Sequence, residues 1–168
     1  MHSLIRNFLK LPWIIIFFYL TACSQPVLIV TPINLSHANQ SASASFTAGE
    51  AGDYLFALLF VKKEEYADIM KQITIWGDSN NEGTPIPVHL QILKDGKVFI
   101  ENDFITTGVQ WGRGFYHEGR RLNTAVRLVD IITLPPGNYT TKITTLVDTE
   151  AFSGIEGYFE VGYYKPKH

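Results

Sequence analysis

Two parts of this chain carry residue types that could do chemistry. The first is Cys23, the only cysteine, which stands directly after Leu20-Thr21-Ala22. A single thiol offers a site of covalent attachment and no partner for an intrachain disulfide. The second is Thr107–Arg121 (TGVQWGRGFYHEGRR), which gathers Trp111, Arg113, Phe115, Tyr116, His117, Arg120 and Arg121 among four glycines. Trp, Tyr and Arg are the types that dominate binding energy at interfaces, because they combine large rigid area with directed donors. Such a loop either anchors a partner or tucks its rings back onto the fold with its charges left in water.

Catalytic and metal chemistry find less support. His37, His89, His117 and His168 share no metal-ligand spacing, and no second thiol can help them. Asp148 and Glu150, with Glu156 nearby, could hold a calcium ion, although a solvated acidic turn explains them as well. Glu101 and Asp103 lie two apart, too common a spacing to mark a glycosidase pair. No G-x-S-x-G, H-E-x-x-H or phosphate loop occurs. The expectation is a binding protein that is not an enzyme and needs no cofactor or metal.

The elements that must position these residues begin with a leader. Residues 1–10 carry Arg6 and Lys10 and no acid, and residues 11–20 (LPWIIIFFYL) are an unbroken apolar run. A basic segment, a short apolar segment and a small residue before the cut make a secretory signal peptide. The run is too short for the ~30 Å hydrocarbon core, which needs about 20 residues. The formal net charge is −2, and losing Arg6 and Lys10 makes the processed chain more acidic still. That argues against a nucleic-acid partner and against docking on anionic lipid by charge, and favours a basic patch on any partner only slightly.

Beyond residue 40 the dominant period is two, the mark of half-buried strands. Ser41–Thr47 alternates Ala and Phe with Ser, and Asp53–Val61 (DYLFALLFV) is apolar on both faces, as a covered central strand would be. Pro85–Lys94 leads into Asp95-Gly96, a type I′ hairpin pair, with Lys97–Glu101 returning. Ala125–Leu134 reads as a strand with Val126, Leu128 and Ile132 on one side. Arg127 inside it would pair with Asp130 or a loop acid, or lie at a sheet edge. Leu134-Pro135-Pro136-Gly137-Asn138-Tyr139 is a corner whose tyrosine opens the strand 139–148, and 154–164 is the last strand. In Lys62–Ile73, Tyr66, Ile69, Met70 and Ile73 recur at helical spacing, with a short strand expected over Ile73–Trp76. The fold class is mainly β: a single antiparallel β-sandwich with one short crossover helix, preceded by the signal peptide. Residues 1–22 form the leader, 23–40 a tether and approach segment in which VLIV can pair as a strand, and 41–168 the sandwich.

Leu20-Thr21-Ala22-Cys23 resembles the lipobox of bacterial lipoproteins. The resemblance implies a diacylglycerol and an N-acyl chain such as palmitate on Cys23, and periplasm-facing attachment to the cell envelope. With Ser24 next, the outer membrane is favoured over the inner. Gly52-Asp53-Tyr54, Gly83-Thr84-Pro85-Ile86-Pro87-Val88 and Arg127 ahead of Leu134-Pro135-Pro136-Gly137-Asn138-Tyr139 together resemble a family of short Gram-negative lipoproteins catalogued as a domain of unknown function. Such lipoproteins are often found beside type VI secretion effectors, which implies an immunity protein whose partner is a secreted toxin. It implies no catalytic residues. The alternative is an envelope-maintenance lipoprotein whose Trp111 and Tyr116 stack on peptidoglycan sugars. On the first reading, replacing Trp111 and Arg113 with Ala weakens binding by more than about 2 kcal/mol while the melting temperature barely moves.

Overall fold

The computed structural model describes residues 26–78 and 80–165, so Cys23 and the leader lie outside the described residues. The chain forms β1 (Leu28–Pro32), β2 (Ser41–Ala48), β3 (Gly52–Val61), α1 (Tyr66–Trp76), β4 (Ile86–Lys94), β5 (Lys97–Thr106), β6 (Trp111–His117), β7 (Arg120–Leu134), β8 (Gly137–Thr145) and β9 (Gly157–Tyr163). They build two antiparallel sheets, β1-β9-β3-β7-β6 facing β2-β8-β4-β5. The expected approach segment is therefore itself part of a sheet: β1 pairs with β9 from Leu28↔Gly162 to Pro32↔Tyr158, and Ile33 and Leu35 are buried.

The inner faces interdigitate in one aromatic core. Phe60 lies between Trp76 and Phe152 at ring separations of 5.8 and 5.0 Å, and Phe56 stacks on Phe159. Period-two alternation produces this layer, because Tyr54, Phe56, Leu58 and Phe60 all leave β3 on the same side. In the corner after β7, the Tyr139 hydroxyl donates to the Pro135 carbonyl at 2.6 Å and closes the turn.

The β4–β5 hairpin turns at Asp95 and Gly96, both at positive φ as a type I′ turn requires. Three other expectations are corrected. The Ile73–Trp76 stretch continues α1 instead of forming a strand, with Gly77 donating back to Ile73. The buried face of that helix is also displaced. Tyr66 and Met70 are exposed, while Gln72 and Trp76 are buried and Ile73 packs on the core. Gln72 fixes this orientation, since its amide donates to the Val61 carbonyl and accepts from Lys63 N–H. Lastly, Val126 and Leu128 do not share a side with Ile132. A bulge at Val129, where Phe56 pairs Asp130 but Ala57 pairs Leu128, turns Ile132 into the inner core.

Arg127 also departs from expectation, because among the described residues no acid pairs with it. It is wholly buried, and its guanidinium donates to the carbonyls of Gly108, Thr84, Thr106 and Trp76 while lying over the Phe60 and Phe152 rings. Burial pulls it down to about 10, so it stays charged at neutral pH. One side chain thus ties the end of α1 to the β5–β6 connection. That closure requires close backbone approach, since a Cβ on Gly83, at φ +65°, would lie 2.4 Å from Gly77 N.

Candidate functional site

The segment 107–121, expected as a long loop, is mostly β6 and the start of β7. Glu118 and Gly119 turn between them at φ 48° and 76°, a second turn with both residues left-handed. Strand β6 is the far edge of the five-stranded sheet, and Phe115–His117 pair with residues 120–122 beyond the point where β3 ends at Val61↔Thr124. The hairpin therefore projects from the sandwich by about 10 Å at strand rise.

Strand alternation divides the candidate residues between two faces. Trp111, Arg113, Phe115 and His117 lie opposite Val126, Thr124, Leu122 and Arg120, on the sheet's outer face. Tyr116 lies opposite Arg121 on the other face, and both are exposed, Tyr116 to 75%. The seven residues thus make a two-sided edge and not a single patch.

On the outer face the rings are held in place. Phe115 and His117 both meet Tyr158 edge-on, at 5.4 and 5.0 Å. The Tyr158 hydroxyl donates to Glu156, which also accepts from Arg120 at 2.8 Å. These bonds hold Glu156 below the usual carboxylate range, the Tyr158 bond first. Burial, with the Glu156 bond second, pushes the Tyr158 phenol up to about 12. Glu156 is thus engaged, and among the described residues no group of three His, Cys, Asp or Glu side chains could hold a metal ion.

Arg113, on the same outer face, pairs with Glu160, a carboxylate with no solvent exposure. Burial holds Glu160 above the usual carboxylate range, opposed by Arg113. Among the described residues only one of its oxygens is bonded: Oε2 is buried without a hydrogen-bond partner. Glu160 was missed in the sequence, although a lone acid between Phe159 and Val161 in an apolar strand was the available signal. The finding also changes what Arg113→Ala would do, because it strands a buried charge and the melting temperature will not stay still.

Trp111, 37% exposed, begins β6 where the sheet meets the β5–β6 connection. Between the hairpin base and residues 61–64 lies an open cleft of about 650 Å³, lined by Val61, Leu122, Lys62, Lys63, Arg120 and Arg121, with Glu64 its one acid. Against a net negative chain this corner is locally basic.

The geometry defines a class first: an antiparallel β-sandwich with a projecting edge hairpin and a half-satisfied ion pair beside it. The chain belongs to the family described as Domain of unknown function (DUF5625), which matches residues 30–163. A crystal structure of a protein from Sulfurospirillum deleyianum is similar at TM-score 0.65 and 20% identity, covering 84% of this chain and all of that one, and it shows the fold. A family 35 carbohydrate binding module from Clostridium thermocellum aligns over 82% of this chain and 98% of that chain at 14% identity. Its TM-score of 0.37 carries no argument. No curated protein matches the chain.

Proposed function

We propose that the chain is a lipid-anchored periplasmic binding protein, an immunity protein that occludes a secreted antibacterial effector through its β6–β7 hairpin. The observation that carries this reading is the position of the hairpin relative to the anchor. Cys23 precedes Leu28 by five residues, a reach of about 17 Å, and Leu28 opens β1 at the edge of the five-stranded sheet opposite β6. The start of β1 is level with Leu55 and Ile131, whereas the hairpin extends past the other end of β3. A tether at one corner of the molecule holds the hairpin at the diagonal corner, turned away from the membrane. Attachment also keeps the inhibitor concentrated where an arriving toxin must act. Trp111, Phe115 and Tyr116 supply the aromatic area, and Arg120 and Arg121 the directed donors, that anchor such complexes. The basic cleft favours an acidic group on the partner.

Competition on a solid surface tests this. A strain lacking the protein should be killed by its secreting parent and spared by a secretion-defective parent. Equal survival against both parents, with the effector expressed, overturns the reading.

A further inference from the structure

Each sheet ends in two edge strands, β1 and β6 in one and β2 and β5 in the other. On one side of the sandwich β1 and β2 lean together, and Thr31 Oγ1 donates to the Ser43 carbonyl at 3.3 Å. On the other side β6 is short, is interrupted by Gly112 and Gly114, and belongs to the projecting hairpin. The remaining edge, β5, runs ten residues from Lys97 to Thr106 with neither proline nor glycine. Among the described residues no strand pairs with its outer side. Alternate residues of an antiparallel edge turn both N–H and C=O away from the neighbouring strand, so β5 presents a row of backbone groups to solvent. This edge is open: Ile105 is exposed to 74% and Val98 to 59%. A bulge at Phe99, where Ile92 pairs Ile100 but Leu93 pairs Val98, leaves Ile100–Ile105 as the regular stretch.

Two acids set what this edge accepts. Glu101, Asp103 and Ile105 leave β5 on the face turned away from the core, since the residues between them lie opposite the buried Val88 and Leu90. His89 meets one oxygen of each acid, Asp103 Oδ1 at 2.6 Å and Glu101 Oε1 at 3.2 Å, and so holds both carboxylates in place. Among the described residues their second oxygens have no partner, and both side chains are exposed. A second copy of the chain fits this edge poorly. In antiparallel registers centred on residues 101, 102 or 103, the acids of one copy face the acids of the other, and like charges directly opposite are destabilising. A cationic strand meets the reverse situation. We infer that β5 is a strand-addition site for an extended segment of another polypeptide, with Lys or Arg opposite Glu101 and Asp103 and an apolar residue opposite Ile105. Main-chain hydrogen bonds supply the affinity of such a complex, and alternate side chains its selectivity.

The inference goes beyond the hairpin reading: β5 belongs to the other sheet, and the two sites stand or fall separately. Fluorescence anisotropy of labelled peptides with the purified full chain tests it. The probe is Val-Thr-Lys-Thr-Lys-Thr-Val, whose symmetric pattern sets its lysines opposite Asp103 and Glu101 in either strand direction. It should bind saturably, and the same peptide with Glu in place of both lysines should bind roughly tenfold more weakly or worse. The double variant Glu101→Lys, Asp103→Lys should reverse that preference. Where this variant melts far below wild type, Asp103→Asn replaces it and should weaken the lysine peptide about threefold. Methylating the peptide's backbone nitrogens on alternate residues should abolish binding for one set and spare it for the other, because only one set faces β5. Bound peptide should slow hydrogen exchange at amides within Ile100–Ile105. Absence of binding, indifference to the exchange of Lys for Glu, equal effects of the two methylated sets, or protection on β6 instead of β5 would each overturn the inference. A dimer in sedimentation velocity that is lost on Ile105→Lys would assign the edge to a second copy and overturn it too.

Discussion

Arg127 and Arg113 are both arginines on the five-stranded sheet, on adjacent strands, yet they are solved in opposite ways. Arg127 points inward and gives its donors to four backbone carbonyls with two aromatic rings beneath it. No charge opposes it, and its surroundings are closed. Arg113 points outward, remains one-third exposed and engages a single oxygen of a buried glutamate whose other oxygen is unpartnered. A fully satisfied polar cluster fixes a fold, because every alternative arrangement loses bonds. A half-satisfied one has bonding capacity left for something else. The inner arginine closes a fully satisfied cluster, and the outer one leaves a buried carboxylate half-bonded.

The largest expected effect breaks the inner arrangement. Arg127→Leu leaves the carbonyls of Trp76, Thr84, Thr106 and Gly108 without their donor, and it should cost about 3 kcal/mol or more in chemical denaturation. Arg127→Lys should recover little of it, since an ammonium cannot fork to carbonyls on three segments.

Next comes the outer pair. Arg113→Ala should cost about 2 kcal/mol at neutral pH, by isolating the Glu160 charge in an apolar surrounding. Burial already holds Glu160 above the usual carboxylate range, and losing Arg113 raises it further. Its charge then opposes folding most at pH 8. The penalty shrinks as pH falls through the raised value and is gone below about 4, where both folded and unfolded chains are protonated. Unfolding curves for the wild type and the variant across that range measure the sign directly; a gap that widens toward acid would contradict it.

The smallest effect lies on the other sheet, at His89. Its Nδ1 meets Asp103 at 2.6 Å and its Nε2 meets Glu101 at 3.2 Å, and the Asp103 bond is the main cause of its raised pKa. That contribution to stability is complete below about pH 6.5 and is lost as pH rises through the folded value. Asp103→Asn should move the His89 midpoint downward in an NMR titration and cost less than about 1 kcal/mol at pH 6, with no cost at pH 9.

The inner half of this comparison was largely legible in the sequence. Alternation in β2 and β4, the two-faced apolar run of β3 and the Asp95-Gly96 pair follow from side-chain period and turn sterics, which act locally. Where tertiary contacts override local preference the reading failed. The β-branched Ile73-Thr74-Ile75 suggests a strand, but Gln72 and Trp76 are anchored and hold the helix. Arg127 stands out in the sequence as an odd charge in an apolar strand, yet backbone carbonyls leave no mark there, so the residues point to an acid partner or a sheet edge instead. In the outer half, Glu118 is an unusual residue for a left-handed turn position, so the β6–β7 hairpin read as loop. The alternating glycines of β6 hide its period, and Glu160 shows in the sequence only as a lone acid in an apolar strand, since its partner Arg113 lies 47 residues away.

The most direct test of the division sets Arg127→Lys beside Trp111→Ala and measures, for each, survival against the secreting parent at matched levels of folded protein. The account predicts that Trp111→Ala melts within a few degrees of wild type yet loses protection at least tenfold, whereas Arg127→Lys melts far lower but protects normally per folded molecule. Full protection by Trp111→Ala, or loss of protection by folded Arg127→Lys, would contradict it.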